Sequence, residues 1–117
     1  GTVYSGIFTN RPEHLMRLID AGRDSGERVW PFPMDADYDQ GLESVIADTK
    51  QCAVEGRADH IIAARFLQRF VKHDTPWIHV DLAGARNKDG LAHVPTESTG
   101  FGVRFTLNLL LDKKILD

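Results

Sequence analysis

His79 and Asp81 stand two residues apart in "TPWIHVDLAGARN" (75–87). On a strand this spacing turns both side chains to one face. Such a pair can be half of a metal site, an acid–base couple, or two satisfied polar groups on a core strand. A metal centre needs three or four His, Cys, Asp or Glu ligands. Asp74 and Asp59-His60 are the nearby candidates, and the chain has no HExxH or CxxC pattern. The spacing therefore favours scaffold over ligation, with the pair hydrogen-bonding its surroundings and orienting a neighbouring loop. Cys52, the single cysteine, has no identifiable base beside it. Ser98-Thr99-Gly100 could offer free backbone N–H groups to an anion, although close helix packing explains Gly100 and Gly102 equally well. Trp30 and Trp77 read as core anchors and Asp59-His60 as a helix cap followed by a first-turn residue. His14, His73 and His93 sit in exposed contexts.

The elements that would position these residues follow from periodicity. "VYSGIF" (3–8) reads as a short strand. Asn10 and Glu13 have the spacing of a capping box for a helix over 11–24, with Leu15, Leu18, Ile19 and Gly22 on one face. Pro31 and Pro33 make "RVWPFP" (28–33) an extended or edge segment. A second helix is expected from about Asp37, burying Tyr38, Leu42, Val45 and Ile46, and 49–57 reads as a loop. Asp59 would cap a mostly buried helix over 60–72, with stripes Ile62–Phe66–Phe70 and Ala63–Leu67–Val71. The near-continuous apolarity of 76–83 predicts an interior strand covered on both faces. A long polar connection (84–100) leads to a last helix over about 100–112, capped by Thr99. Strands alternating with helices mean an α/β fold.

The 117 residues fill one domain, and a net charge of −3 without a basic tract gives no electrostatic reason to expect nucleic acid. No apolar run approaches the ~18–20 residues that span a bilayer. A lone cysteine fits a reducing, cytoplasmic compartment. The opening "GTVYSGIFTN", without Met and already β-prone, reads like the middle of a domain.

Four stretches in order carry a resemblance: "SGERVWPFPM" (25–34), "ADHIIAARFLQRFV" (58–71), "PWIHVDLAG" (76–84) and "TGFGVR" (99–104). Together they resemble the C-terminal part of the catalytic domain of the leucine aminopeptidase (cytosol aminopeptidase) family, from about Ser5 to Leu110. The resemblance implies a partial three-layer sandwich, with helices packed on both faces of a mixed sheet. It also implies a peptide substrate and two divalent metals, zinc or manganese, that activate a water against the first peptide bond. The family's ligands lie on a Lys-containing stretch and an Asn-Thr-Asp-Ala-Glu-Gly-Arg motif, neither of which occurs in this chain. This chain alone is then expected to bind no metal and to be inactive. By the family's pattern Cys52, Ala83 and Arg86 would line the substrate pocket. Arg86 departs from the apolar residues of leucine-preferring members; it either pairs with an acidic or polar N-terminal residue or turns to solvent. The loop "KQCAVEGRADH" departs from the family's glycine-rich stretch and is similar to that of a bacterial subgroup. Complete members are typically hexamers, so a homo-oligomer is expected here, driven by apolar faces and a free sheet edge. Two other readings are a non-catalytic interaction or oligomerisation module with the same half-fold, and a hydrolase using His79 and Asp81.

Overall fold

The computed structural model describes residues 2–51 and 56–117. Three short strands form a mixed sheet: β1 (Ser5–Thr9), β2 (Val29–Pro31) and β3 (Ile78–Asp81), in the order β2-β1-β3. β1 runs parallel to β2, with Gly6 opposite Trp30, and antiparallel to β3, with Gly6 opposite Asp81. The β1–β2 crossover is made by α1 (Leu15–Ser25), entered through a 3₁₀ turn at Pro12–His14. Gly26, at φ 75°, ends α1 in the left-handed conformation that glycine adopts without a Cβ clash. A longer 3₁₀ segment (Ala36–Leu42), helix α2 (Asp59–Gln68) and helix α3 (Val103–Leu107), continued by a π-helical turn at Asn108–Asp112, complete the fold.

Alternation along β1 separates two cores. Ile7 turns to one face and joins Leu18 and Ala21 of α1, Val29 of β2, and Phe105 and Leu109 of the C-terminal helical stretch. Phe8 turns to the other face and meets Ile61 and Ala64 of α2, with Met34, Tyr38 and Trp77 around them. Both residues are fully buried. Helices thus cover both sides of a mixed sheet, as expected for a partial three-layer α/β sandwich.

Several local expectations are corrected. β1, not β3, is the central strand; β3 lies at an edge of the described sheet and its residues are half-buried or exposed. The apolar run at 76–83 is continuous because Trp77 and His79 stack on the α2 face while Ile78 and Val80 pack on the other. The second helix stops at Leu42 as a 3₁₀ segment, leaving Val45 and Ile46 102% and 93% exposed. α2 is not mostly buried: Ile61, Ile62 and Ala64 are inside, Leu67 faces out, and the helix ends at Gln68 before the exposed Phe70. Its first helical residue is Asp59, after Ala58 at φ 53°, so Asp59 does not cap it with its side chain. Asn10 does not cap α1 either. Its amide spans to the segment leading into β3, donating to the Thr75 carbonyl at 2.9 Å and accepting from the Trp77 N–H at 2.8 Å.

Candidate functional site

A cleft of about 400 Å³ opens on the α2 side of the sheet, at the N-terminal end of β1. Its floor is Gly6. Trp30 and Phe32 wall one side, Asp81 and Ala83 the other, and His60 closes it from the first turn of α2. Register explains the arrangement: Trp30, Gly6 and Asp81 are paired neighbours across three strands, so their side-chain directions share one face. A Cβ on Gly6 would lie 3.2 Å from the Phe32 ring, so glycine keeps the floor open. Trp30 is 57% exposed, which corrects its reading as a core anchor. Trp77 does pack beside the α2 core.

Ala83 reaches the cleft because the ladder is prolonged beyond β3 by a side chain. The buried Ser5 Oγ accepts the Ala83 N–H at 3.0 Å. The following segment is pinned by Thr99, which is buried. Its hydroxyl donates to the Gly84 carbonyl at 2.6 Å and accepts from the Phe101 N–H at 3.2 Å. Thr99 therefore holds the turn after Ala83 and does not cap α3. Arg86 lies outside the cleft lining, 77% exposed, with Nη2 2.7 Å from Glu97 Oε1. Cys52 lies outside the described residues.

His79 and Asp81 share a face as the spacing predicts, but they do different things. His79 stacks on Trp77 (centroids 5.7 Å apart, 14° between planes) and leans on Phe8 at 5.6 Å. Burial pushes its pKa below the ordinary histidine value, against the opposing pull of the Asp81 charge. A neutral stacked ring suits a scaffold role. Among the described residues no group of three or more His, Cys, Asp or Glu could hold a metal ion, so the two cations implied by the resemblance have no fitting ligand set there. No described helix is long and apolar enough to cross a membrane.

The sequence reading missed Glu27. Its side chain is fully buried, and Oε2 accepts the N–H groups of Gly102 at 2.7 Å and Phe105 at 2.9 Å. Arg104 Nη2 stands 3.4 Å from Oε1. The anion that free N–H groups near "STG" could accept is, just downstream at Gly102 and Phe105, the chain's own carboxylate at the start of α3. Gly102 sits at φ 104° and Gly100 at φ 65°, with open space where each Cβ would be, so backbone conformation and not close packing selects glycine. No local pattern marks Glu27, because its partners lie some 75 residues away in sequence.

Residues 1–107 match the model of the cytosol aminopeptidase family, catalytic domain. The chain is 46% identical over 112 residues to a probable cytosol aminopeptidase of Wolbachia pipientis, covering 94% of this chain and 22% of that protein. It is 44% identical over 115 residues to probable cytosol aminopeptidase 1 of Shewanella oneidensis, covering 97% and 23%. The fold superposes on a mutant of tomato leucine aminopeptidase with a TM-score of 0.83 at 26% identity, over 96% of this chain and 21% of that one. The chain therefore spans less than a quarter of the length of these relatives. It belongs to the cytosol aminopeptidase family and represents part of its catalytic domain.

Proposed function

We propose that this chain is the C-terminal segment of a metal-dependent, leucyl-aminopeptidase-like exopeptidase that removes N-terminal residues from peptides. In this reading it supplies scaffold and one wall of the substrate pocket. The cations, zinc or manganese, are held by residues elsewhere in the longer protein. The observation that carries the reading is the match of residues 1–107 to the family's catalytic domain. The absence of a ligand cluster among the described residues agrees with that division of labour. Ala83, on the cleft, is proposed to touch substrate, together with Cys52 and Arg86. Arg86 would do so only by releasing Glu97.

The whole enzyme is proposed to be a cytoplasmic homo-oligomer. Leu107, Leu110 and Leu111 are exposed along the C-terminal helical stretch, and such apolar surface favours association. The hydrolase reading of His79 and Asp81 has less support, because His79 is stacked between aromatic rings.

The test is direct. A longer polypeptide carrying this sequence should release leucine from a leucyl anilide only with zinc or manganese, and the 117-residue chain alone should not. Tight zinc binding by the isolated chain in calorimetry, with hydrolysis, would overturn this reading and restore a site on the chain itself.

A further inference from the structure

The cleft has a chemistry that the family match does not assign. Trp30, Gly6 and Asp81 form one row across three strands. Neighbouring strands lie about 4.8 Å apart, so an indole and a carboxylate flank a slot about 10 Å wide at the backbone. Gly6 contributes no side chain to the row, and the Phe32 ring covers the floor beside it. The Asp81 carboxylate makes no hydrogen bond or ion pair among the described residues, whereas Asp39 and Glu97 are each paired with an arginine. The chain already uses ring–cation contact at this rim: the Arg28 guanidinium lies over Tyr4, 4.6 Å from the ring centroid. Arg28 occupies Tyr4 and is absent from the cleft lining, which leaves Trp30 for a ligand. His60 stands edge-on to Phe32 at 4.6 Å and is the other titratable group of the lining beside Tyr4.

We propose that this slot takes a basic side chain of a bound peptide, the ammonium or guanidinium of lysine or arginine, with its stem along Trp30 and Gly6 and its charge on Asp81. The proposal rests on the reading that the cleft receives peptide. Aromatic faces attract cations, and alkyl stems pack on them. An acidic side chain would meet the Asp81 carboxylate, and a neutral one would leave that charge without a partner.

The experiment titrates the longer polypeptide carrying this sequence, freed of metal and labelled with fluorotryptophan, with the Nα-acetyl, N-methylamide derivatives of lysine, norleucine and glutamate, following the Trp30 fluorine resonance by NMR. These blocked residues have no free N-terminus, so a metal-bound aminopeptidase centre plays no part in the readout. The lysine derivative should bind about tenfold more tightly than norleucine, and Asp81→Asn should abolish that preference. Asp81 is exposed, so the variant should fold, and unchanged thermal unfolding checks this. Equal binding of lysine and norleucine, tighter binding of glutamate, or no saturable shift would each overturn the proposal. So would a preference untouched by Asp81→Asn. None of these results bears on whether the longer protein cleaves a leucyl anilide, so the two readings fail separately.

Discussion

On one face of the sheet Ile7, Val29 and Val80 press against α1 and the C-terminal helical stretch, whereas on the other Gly6, Trp30 and Asp81 stand around an open cleft. The same three strands build both faces, one residue out of phase. The first face is sealed by apolar packing and by the Glu27 carboxylate, which takes two N–H groups at the start of α3. The second depends on aromatic stacking and on Arg65, whose guanidinium grips Asp39 with two bonds of 2.8 and 2.7 Å. The difference separates stability from recognition: the packed residues, Ile7 and Phe105 on the closed face and Phe8 beneath α2, should set the unfolding free energy, and the residues around the cleft should tolerate change.

The largest effect should come from emptying the closed face. Phe105→Ala removes a ring that is 3% exposed and should cost about 3–5 kcal/mol. Trp30→Ala, on the open face, should change stability by less than about 1 kcal/mol. Urea unfolding of both variants checks the contrast, and equal losses would break it. Next comes Glu27→Gln. The amide oxygen can still accept both helix N–H groups, but the side chain loses its charge and sets an NH₂ near Arg104, at an expected cost of about 2–3 kcal/mol. Hydrogen exchange at Gly102 and Phe105 should accelerate more than at Ile61, which belongs to the opposite layer.

A smaller effect sharpens the comparison through pH. His79 has its pKa lowered by burial, so the folded state holds it neutral where the unfolded chain already binds a proton. Stability from this group is intact above the ordinary histidine value of 6.5 and falls as pH drops through the lowered folded value. His79→Phe should flatten that part of the stability–pH curve. The Arg65 bond lowers the Asp39 pKa, so its contribution persists above 3.8 and is lost at more acidic pH. Both titrations belong to the open face. Phe105→Ala should shift the curve down without moving either window.

Much of this division was legible in the sequence. Leu18 and Gly22 follow helical spacing and are buried in α1, and the prolines of "RVWPFP" place that segment at an edge. The four ordered motifs carry the family likeness in the sequence itself. What could not be read is what depends on register and long-range pairing. Val45 and Ile46 continue a helical pattern, yet the chain leaves the helix after Leu42 and they face solvent. Trp30 looks like a core residue until the sheet order sets it opposite Gly6 at the rim of the cleft. Glu27 looks like a surface charge, because only the tertiary fold brings the start of α3 to it.

The smallest expected effect concerns Arg86, and it separates the two ends of the proposed pocket wall. Arg86 and Glu97 are 77% and 56% exposed, so their ion pair is screened by water and should be worth at most about 1 kcal/mol. Arg86→Ala should therefore leave unfolding almost unchanged. Its consequence for substrate choice is independent of that number. If Arg86 leaves Glu97 to meet an acidic N-terminal residue, Arg86→Ala in the longer enzyme should depress cleavage of an aspartyl anilide relative to a leucyl anilide. Glu97→Ala should raise it by releasing the guanidinium. If Arg86 serves only its surface pair, neither variant moves the ratio. Asp81 then remains the proposed charge on this wall, and the preference to test is for a basic side chain.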